Sequence, residues 1–508
     1  MAKVQLSRDE VLALSISHRV IPVIETLFSG TETPLSIFEK LAANKPGSFL
    51  LESAQQGVWA RYSFIGVNNR GMLLQASGKK AKWTSESNCA PLPDSSFKLA
   101  EAALDAVAQI QKAWTTAPIG SLPPLTSGLV GVMAWDLIRE IENLKPESKK
   151  DFPSPVLALA MFRDLVVVDH ETSSILLVSN IFAADDVDVS AAYDEALANI
   201  DSMRADLLKP SEAVIADIDF STNPTFENNI SKSAFIESVL SAKEYVKIGD
   251  VFQVVISQRF DIQTQASPLD VYRVLRALNP SPYMYLLNFD DEDGPYAVVG
   301  SSPEALVSVL NGKAITHPIA GSRPRGADTE LDHQNEISLV DDKKEKSEHL
   351  MLVDLARNDL LKVCEPSTVT VTEFMQVHRF SHVMHLVSTV EGKVSKDATP
   401  IDVFRATFPA GTLSGAPKPR ALEIIDELEA SNRGIFGGVV GYFDFAGNAD
   451  LAIAIRTAFI RDGVAHVQAG AGIVLDSDPE SEYQETIAKA GAPLKAVAAA
   501  NAMTRRKS

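Results

Sequence analysis

The chain has 508 residues, a length that predicts two or three domain-sized units rather than one simple core. Its formal net charge of −19 argues against general binding to nucleic acid, whose phosphates attract basic surfaces. No apolar run reaches the ~18–20 residues that span a bilayer, and the N-terminal segment lacks the long apolar stretch of a signal peptide. The two distant cysteines, Cys89 and Cys364, indicate neither a disulfide framework nor a cysteine metal site. A cytoplasmic protein is therefore expected.

The N-terminal part mixes helices with strands. The segment PLSIFEKLA predicts a helix with Pro34 in its first turn. GSFLLES (47–53) and VWARYSFIGV (58–67) predict sheet segments, and LVVVDHETSSILLVS (165–179), which has a polar centre between two β-branched runs, predicts a hairpin. The polar stretch 209–229, broken by two prolines, marks the best domain boundary.

The C-terminal part opens with a predicted helix from about Ser233 to Lys247, which Gly249 ends. VFQVVISQRF (251–260) alternates as a strand, and PKPRALEIIDELEA (417–430) predicts a helix. Three strands in a row are then predicted at 437–445, 449–460 and 464–475, before a final helix that begins near Glu480. Sequential hairpins among helices favour an α+β fold, with mostly antiparallel sheets packed together and helices outside.

Two Glu-x-x-Glu pairs are candidate metal ligands. Glu345 and Glu348 are spaced to share one helical face, and so are Glu482 and Glu485. Two such helices facing each other could supply the oxygen ligands that Mg²⁺ prefers. Such pairs are more commonly solvated faces that neighbouring lysines neutralise, and spacing alone favours that alternative.

Glycine-rich turns at 320–326, 409–418 and 468–473 could bring backbone N–H groups close to a carboxylate or phosphate. GTLSGAPK lacks the G-K-[ST] ending of a P-loop, so no nucleotide site is predicted. Glycines in strand-rich proteins also mark bulges and tight turns.

Three single residues stand out near predicted strands. Arg456 lies within the β-type run LAIAIRTAF, where an arginine must find an anion or face water. His385 lies in another apolar run, where a histidine is more commonly a satisfied core residue than a catalyst. Glu304 follows a predicted strand and could donate a proton. Taken alone, these residues indicate an anionic ligand held with Mg²⁺ and leave the ligand open.

Taken together, these segments resemble the chorismate-utilising enzymes, and within that family the anthranilate synthase component I branch. The resemblance rests on FQVVISQRF, NPSPYMYLL, PIAGSRPRG, EKSEHLMLVDLARND, FPAGTLSGAPKPRALEIIDELE and AGAGIVLDSDPESEYQET. It covers nearly all of residues 231–490 in family order, and LLES (50–53) extends it towards the N-terminus. It implies a regulatory domain at 1–225, a chorismate-binding catalytic domain at 226–508, and regulatory and catalytic parts that are interleaved.

The resemblance implies a role for each matching residue. Glu348 and Glu485 match Mg²⁺ ligands, with Glu345 and Glu482 close by, and the metal would clamp the ring carboxylate of chorismate. Glu304 matches the acid that protonates the departing C4 hydroxyl, His385 the residue that helps remove the C2 proton, and Thr412 an active-site threonine. The residues assigned to substrate binding are Gly321, Ser322, Arg456, Gly470, Ala471 and Gly472.

Two positions distinguish the branches of the family. Isochorismate and salicylate synthases carry a lysine base where this chain has Gln253, so ammonia becomes the plausible attacker at C2. Aminodeoxychorismate synthases carry a lysine nucleophile where this chain has Ala320. Phe436 replaces a more usual tyrosine in the substrate pocket, which removes a hydroxyl.

The resemblance also implies regulation and a partner. Ser53, Pro282, Tyr283 and Met284 match a feedback site for tryptophan. Neither cysteine lies in a Gly-Cys-Gly turn, so ammonia is expected from a separate glutamine amidotransferase subunit in a hetero-oligomer, or from solution. Two alternatives remain: an aminodeoxyisochorismate synthase, which stops before pyruvate loss, and a tryptophan-sensing subunit without catalysis.

Overall fold

The computed structural model describes residues 6–43, 45–53, 61–86, 89–119, 122–144, 151, 153–210, 215–379 and 383–506. Its α-helices are α1 (Arg8–Ser15), α2 (Pro34–Leu41), α3 (Ala103–Ala113), α4 (Val189–Leu207), α5 (Lys232–Lys247), α6 (Pro268–Leu278), α7 (Thr329–Asp341), α8 (Lys343–Leu361), α9 (Pro400–Thr407), α10 (Lys418–Leu428) and α11 (Pro479–Asn501). Short 3-10 helices lie at Trp135–Glu140 and Pro366–Thr368. Within these described ranges, no helix is long and apolar enough to cross a membrane.

The strands of the first half are β1 (Val20–Phe28), β2 (Ser48–Glu52), β3 (Tyr62–Ala76), β4 (Lys82–Thr84), β5 (Gly128–Met133), β6 (Pro155–Asp169), β7 (Ser174–Phe182), β8 (Ala216–Asp217) and β9 (Glu227–Asn228). Those of the second half are β10 (Gln253–Gln263), β11 (Tyr283–Asp291), β12 (Gly294–Ser302), β13 (Ala305–Leu310), β14 (Lys313–Thr316), β15 (Ile319–Pro324), β16 (Thr370–Arg379), β17 (Val383–Lys393), β18 (Gly415–Ala416), β19 (Val439–Asp444), β20 (Ala449–Ile453), β21 (Thr457–Arg461), β22 (Val464–Ile473) and β23 (Thr504–Arg505).

Local sequence signals explain where the helices begin and end. Thr33 caps α2, with Pro34 at its start, as predicted. Helix α5 begins after Ser231, whose hydroxyl accepts a hydrogen bond from the Ala234 N–H at 3.2 Å. It ends before Gly249, whose φ of +87° suits a glycine after a helix C-terminus. The predicted helix over 233–247 is therefore confirmed.

The antiparallel sheets join the two predicted domains. Strand β2 pairs with β11, placing Leu51 opposite Tyr285, and β5 pairs with β19, placing Val132 opposite Val440. Every named pair of strands among the described residues is antiparallel, and helices lie outside the sheets. The predicted α+β fold with interleaved halves is thus confirmed, while the boundary near residue 225 stays a prediction.

One strand prediction is wrong. The run 449–460 was expected to form a single strand, but it forms β20 and β21 with a break between them. Arg456 lies in this break with φ of +53°, a left-handed conformation that no regular strand accommodates. Arg456 is therefore not a strand residue, and its side chain bonds to the backbone carbonyl of Lys489 in α11. Residues 58–60 of the predicted strand 58–67 lie outside the described residues; β3 begins at Tyr62.

Two helices position the candidate site. Helix α8 packs against β15 and β17, and α11 packs against β22 and α6. Both helices begin with an aspartate cap: Asp342 accepts from the N–H groups of Lys344 and Glu345, and Asp478 accepts from the N–H group of Ser481. The capped first turns therefore carry Glu345 and Glu482, and the next turn of each helix carries Glu348 and Glu485.

Candidate active site

The first carboxylate pair lies where α8 meets β15. The side chain of Glu345 lies beside Gly321, since a Cβ added at Gly321 would lie 3.1 Å from Glu345 Oε2. Gly321 has φ of +67° at a bulge in the pairing of β15 with β17. Arg323 forms an ion pair with Asp342 at 2.8 Å and approaches Glu345 at 3.5 Å. The start of α8 is thus fixed against the predicted substrate-binding turn.

The second carboxylate pair faces the first from α11. Burial and then the charges of Glu345 and Glu485 raise the pKa of Glu348, which places carboxylates from both helices in one electrostatic environment. Burial, followed by the charge of Glu485, also raises the pKa of Glu482. Lys489 forms an ion pair with Glu485 at 2.7 Å and donates to the Gly470 carbonyl at 3.0 Å. The predicted pairs on α8 and α11 therefore come together.

The carboxylates suit a Mg²⁺ ion that shares its ligands with a substrate. The described part of the chain contains no ready cage of three or more histidine, cysteine, aspartate or glutamate ligands. Mg²⁺ commonly needs only one or two carboxylates and completes its octahedron with water and substrate oxygens. Burial and then the charge of Glu345 raise the pKa of Glu348, so a cation bound there would stabilise its charged form. Glu348 and Glu485 thus fit the predicted metal role.

The cationic and glycine-rich part of the site lies beside α11. An Nη1 group of Arg456 donates to the backbone carbonyl of Lys489, and burial lowers the pKa of the guanidinium while Glu485 raises it. In β22, Gly470 and Gly472 lie opposite Ser257 and Val255 of β10. A Cβ added at Gly472 would lie only 2.4 Å from Nε2 of Gln253.

The end of the Gln253 side chain thus packs directly against Gly472, and Gln253, Arg456, Gly470, Ala471 and Gly472 lie along one edge of the site.

Glu304 lies in the short link between β12 and β13, as predicted. Thr412 donates a hydrogen bond to its Oε1 at 3.1 Å, although the two residues are far apart in sequence. Burial raises the pKa of Glu304 to about 7, and the bond from Thr412 and the charge of Lys489 oppose that rise. Glu304 and Thr412 also line one cavity with Gly411 and Leu352. A carboxyl with this pKa can hold and donate a proton near neutral pH.

His385 lies on β17 opposite Ser322 of β15. Its Nδ1 is 2.8 Å from the carbonyl oxygen of Gly321, so this nitrogen carries the proton and Nε2 is the basic nitrogen. Burial lowers the pKa of His385, and Arg456 lowers it further, while the hydrogen bond to Gly321 opposes the change. The imidazole is therefore neutral at physiological pH and able to accept a proton. Gly321, Ser322, Glu345 and His385 form one group.

Phe436 lies in a neighbouring layer of the core. Its side chain is buried, and the guanidinium of Arg433 lies 5.6 Å from the ring centroid. Phe436 belongs to the same core cluster as Trp135 and Leu413. The structure thus packs Phe436 against Arg433, Trp135 and Leu413, and its role in substrate binding stays a prediction.

The four predicted tryptophan-binding residues are brought together at the pairing of β2 with β11. Glu52 lies opposite Met284, so Ser53, which follows it, reaches the start of β11 at Pro282 and Tyr283. The Ser53 hydroxyl is buried and has no hydrogen-bond partner among the described residues. Tyr283 donates to Asp450 at 3.2 Å. The end of β2 and the start of β11, which are distant in sequence, thus lie side by side where the two predicted domains meet.

Two residues of this region were missed as site residues by sequence reasoning. Lys489, one turn after Glu485, is not among the predicted site residues, yet it pairs with Glu485 and donates a hydrogen bond to the Gly470 carbonyl. Arg433, three residues before Phe436, is buried beside the rings of Trp135 and Phe436. Helical spacing from Glu485 could have indicated Lys489; no local signal in the sequence indicated the contacts of Arg433.

The family described as chorismate binding enzyme matches residues 46–495, which is most of the chain. The chain belongs to this family. It is therefore a chorismate-binding enzyme, and the candidate site lies within the matched residues.

Individual relatives agree over nearly the whole length. The chain is 48% identical to anthranilate synthase component 1 of Mycolicibacterium smegmatis, covering 97% of this chain and 94% of that protein. It is 47% identical to anthranilate synthase component 1 of Arthrobacter globiformis, covering 97% and 93%. The crystal structure of anthranilate synthase component I from Streptococcus pneumoniae TIGR4 matches with a TM-score of 0.75 and 32% identity, covering 92% of this chain and 99% of that one.

Proposed function

We propose that the chain is the large subunit of an anthranilate synthase, which aminates chorismate with ammonia at C2 and then eliminates pyruvate to give anthranilate. This reaction is the first committed step towards tryptophan. The observation that supports the proposal is that Glu304, with its pKa raised to about 7, and His385, with its pKa lowered, suit a proton donor and a base, while Gln253 stands in place of a lysine base. The near full-length likeness to anthranilate synthase component 1 proteins supports it.

Two proton transfers are assigned to these residues. Glu304 protonates the C4 hydroxyl, which leaves as water while ammonia forms the new bond at C2. His385 then accepts the C2 proton through Nε2 as the ring C–O bond of the enolpyruvyl group breaks, and the released enolate takes up a proton at carbon to become pyruvate. The raised pKa of Glu304 and the lowered pKa of His385 leave the first group protonated and the second neutral, as these roles need.

The rest of the site binds and orients the substrate. Arg456 and the backbone of Gly470, Ala471 and Gly472 are proposed to hold carboxylates, and Gly321 and Ser322 to line the pocket. Glu348 and Glu485 would hold Mg²⁺, with Glu345 and Glu482 nearby. When bound, the ion would supply positive charge to the ring carboxylate of chorismate.

We further propose that a glutamine amidotransferase subunit supplies the ammonia. The chain has only two cysteines, and burial raises the pKa of the Cys364 thiol to about 11, so this thiol is a poor nucleophile near neutral pH. The designation component 1 among the relatives also implies a second component.

Incubation with chorismate, Mg²⁺ and an ammonium salt tests the proposed function, with anthranilate followed by its fluorescence and pyruvate measured separately. The purified chain should use ammonium and not glutamine. A non-aromatic amino acid without pyruvate would instead identify an aminodeoxyisochorismate synthase. Absence of any chorismate consumption would favour a sensing subunit and contradict the proposal.

A further inference from the structure

A buried ion pair lies behind the candidate active site. Arg433 and Glu429 have side chains that are 1% and 6% exposed, and they form two parallel hydrogen bonds of 2.9 and 2.6 Å. The Arg433 guanidinium also lies 4.2 Å from the ring centroid of Trp135. Burying two charges is costly unless their remaining hydrogen-bonding groups are satisfied. The partners that satisfy this pair are therefore informative.

Arg433 uses its remaining donors on two separate segments. One Nη1 hydrogen reaches the carbonyl of Leu413 at 2.6 Å, and Nη2 reaches the carbonyl of Val255 at 2.9 Å. Leu413 is the neighbour of Thr412, which donates to Glu304. Val255 lies on β10, opposite Gly472 and two residues after Gln253. One guanidinium thus joins the Thr412 loop to the glycine-rich edge of the site.

Glu429 ties the same strand at a second point. Its Oε1 accepts hydrogen bonds from the N–H and the hydroxyl of Ser257, both at 2.8 Å. Ser257 lies opposite Gly470, the residue whose carbonyl binds Lys489. The two charged residues therefore contact the backbone on both sides of the site and leave the reacting groups themselves untouched.

We propose that Arg433 is a positioning residue which, together with Glu429, clamps the Thr412 loop onto β10 and so holds Thr412 against Glu304. This inference rests on the proposed function for its catalytic consequence. The clamp itself does not depend on the reaction, because it concerns only the contacts that order residues 410–414. Arginine is required because its planar fork serves a carboxylate and two carbonyl groups at once, which a lysine ammonium cannot do.

The main test removes both charges together. Replacing both residues of a buried ion pair by apolar residues commonly preserves folding, whereas replacing only one leaves the other charge buried without a partner. The double variant Arg433→Met/Glu429→Leu should therefore fold and show a kcat reduced by about 10²-fold, the loss expected for misplaced reacting groups. Amide hydrogen exchange in residues 410–414 should be faster than in the wild type.

A second ion pair provides the matched control. Arg139 binds Asp426 of α10 through two hydrogen bonds of 2.9 Å, close in sequence to Glu429, and neither of these bonds involves Leu413 or Val255. The variant Arg139→Met/Asp426→Leu should leave both kcat and exchange in the loop near wild-type values. A folded Arg433→Met/Glu429→Leu variant with wild-type kcat, or with a reduced kcat and unchanged exchange in the loop, would overturn the proposal.

If the double variant does not fold, the single variant Arg433→Lys tests the clamp. It keeps the buried charge but loses the fork, so kcat should fall more than KM rises, and the decline of kcat/KM with pH should move upward as Thr412 releases Glu304. Wild-type kcat and pH dependence in Arg433→Lys would refute the clamp. If the wild-type protein forms no anthranilate, the proposed function is wrong. The hydrogen-exchange rates of residues 410–414 in the variants would still test the clamp.

Discussion

The helix-borne and strand-borne parts of the candidate site handle charge in opposite ways. On α8 and α11, burial and then the charges of Glu345 and Glu485 raise the pKa of Glu348. Around β12, β13 and β17, Glu304 has a pKa raised to about 7 by burial, and His385 has a pKa lowered by burial. The first part concentrates negative charge that a cation can relieve, while the second favours neutral groups suited to proton transfer.

The largest expected effect comes from the proton donor. Glu304→Gln should lower kcat/KM by about 10²–10⁴-fold, because the amide keeps the shape but cannot donate the proton. In the wild type, kcat/KM should fall as pH rises through about 7, where Glu304 loses its proton. Thr412→Val removes a hydrogen bond that lowers this pKa, so the decline should move to higher pH. The measurement is anthranilate formation across pH.

Two results would contradict the role of Glu304 as the acid. One is a kcat/KM that declines over the same pH range in Thr412→Val as in the wild type; the other is a fully active Glu304→Gln. Either result would also contradict the proposed difference between the two regions.

The carboxylate region should be nearly as sensitive. Glu348→Gln or Glu485→Gln should lower turnover by about 10²-fold or more, because each change removes a charged metal ligand. Turnover is measured against Mg²⁺ concentration. Glu480→Gln is the matched control for Glu485→Gln. Glu480 lies on α11, as Glu485 does, but it forms an ion pair with Lys232 at 2.7 Å. Undiminished activity in EDTA, once trace metal is shown to be chelated, would contradict the metal role.

His385 should separate the two steps of the reaction. His385→Ala should lower anthranilate formation by about 10²-fold while chorismate consumption falls less, so the aminated intermediate accumulates, because the base acts on the C2 proton. Both are followed by chromatography of quenched samples. Equal losses without an intermediate would assign His385 to amination instead.

The smallest effect on uninhibited turnover is expected at the pairing of β2 with β11. If tryptophan binds between Ser53 and Met284, Ser53→Phe should fill the pocket and Met284→Thr should remove apolar contact. Both should relieve inhibition and leave the uninhibited rate nearly intact. A preference of tryptophan for an inactive arrangement by ~1–3 kcal/mol would suffice.

The readout for these variants is anthranilate formation against tryptophan concentration, with the exposed Ser95→Phe as control. Superimposable curves for Ser53→Phe, Met284→Thr and the wild type would place any tryptophan site elsewhere.

By itself, the sequence determined the local elements and the family. Helix caps and turn residues indicated α2 and α5, alternation indicated β10, and Glu-x-x-Glu spacing placed each carboxylate pair on one helical face. These signals are local, because caps, turns and periodicity involve residues only a few positions apart. Glu304 after a strand and the motif likeness were therefore readable from the chain alone.

Tertiary structure alone decided which of these elements meet. The left-handed conformation of Arg456 splits a run that reads as one strand, the Thr412 hydroxyl reaches Glu304, and Arg433 joins the Thr412 loop to β10. Such contacts depend on how a twisted antiparallel sheet brings distant segments together, and buried polar groups must then find partners wherever packing puts them. The periodicity of the sequence therefore does not predict which residues become those partners.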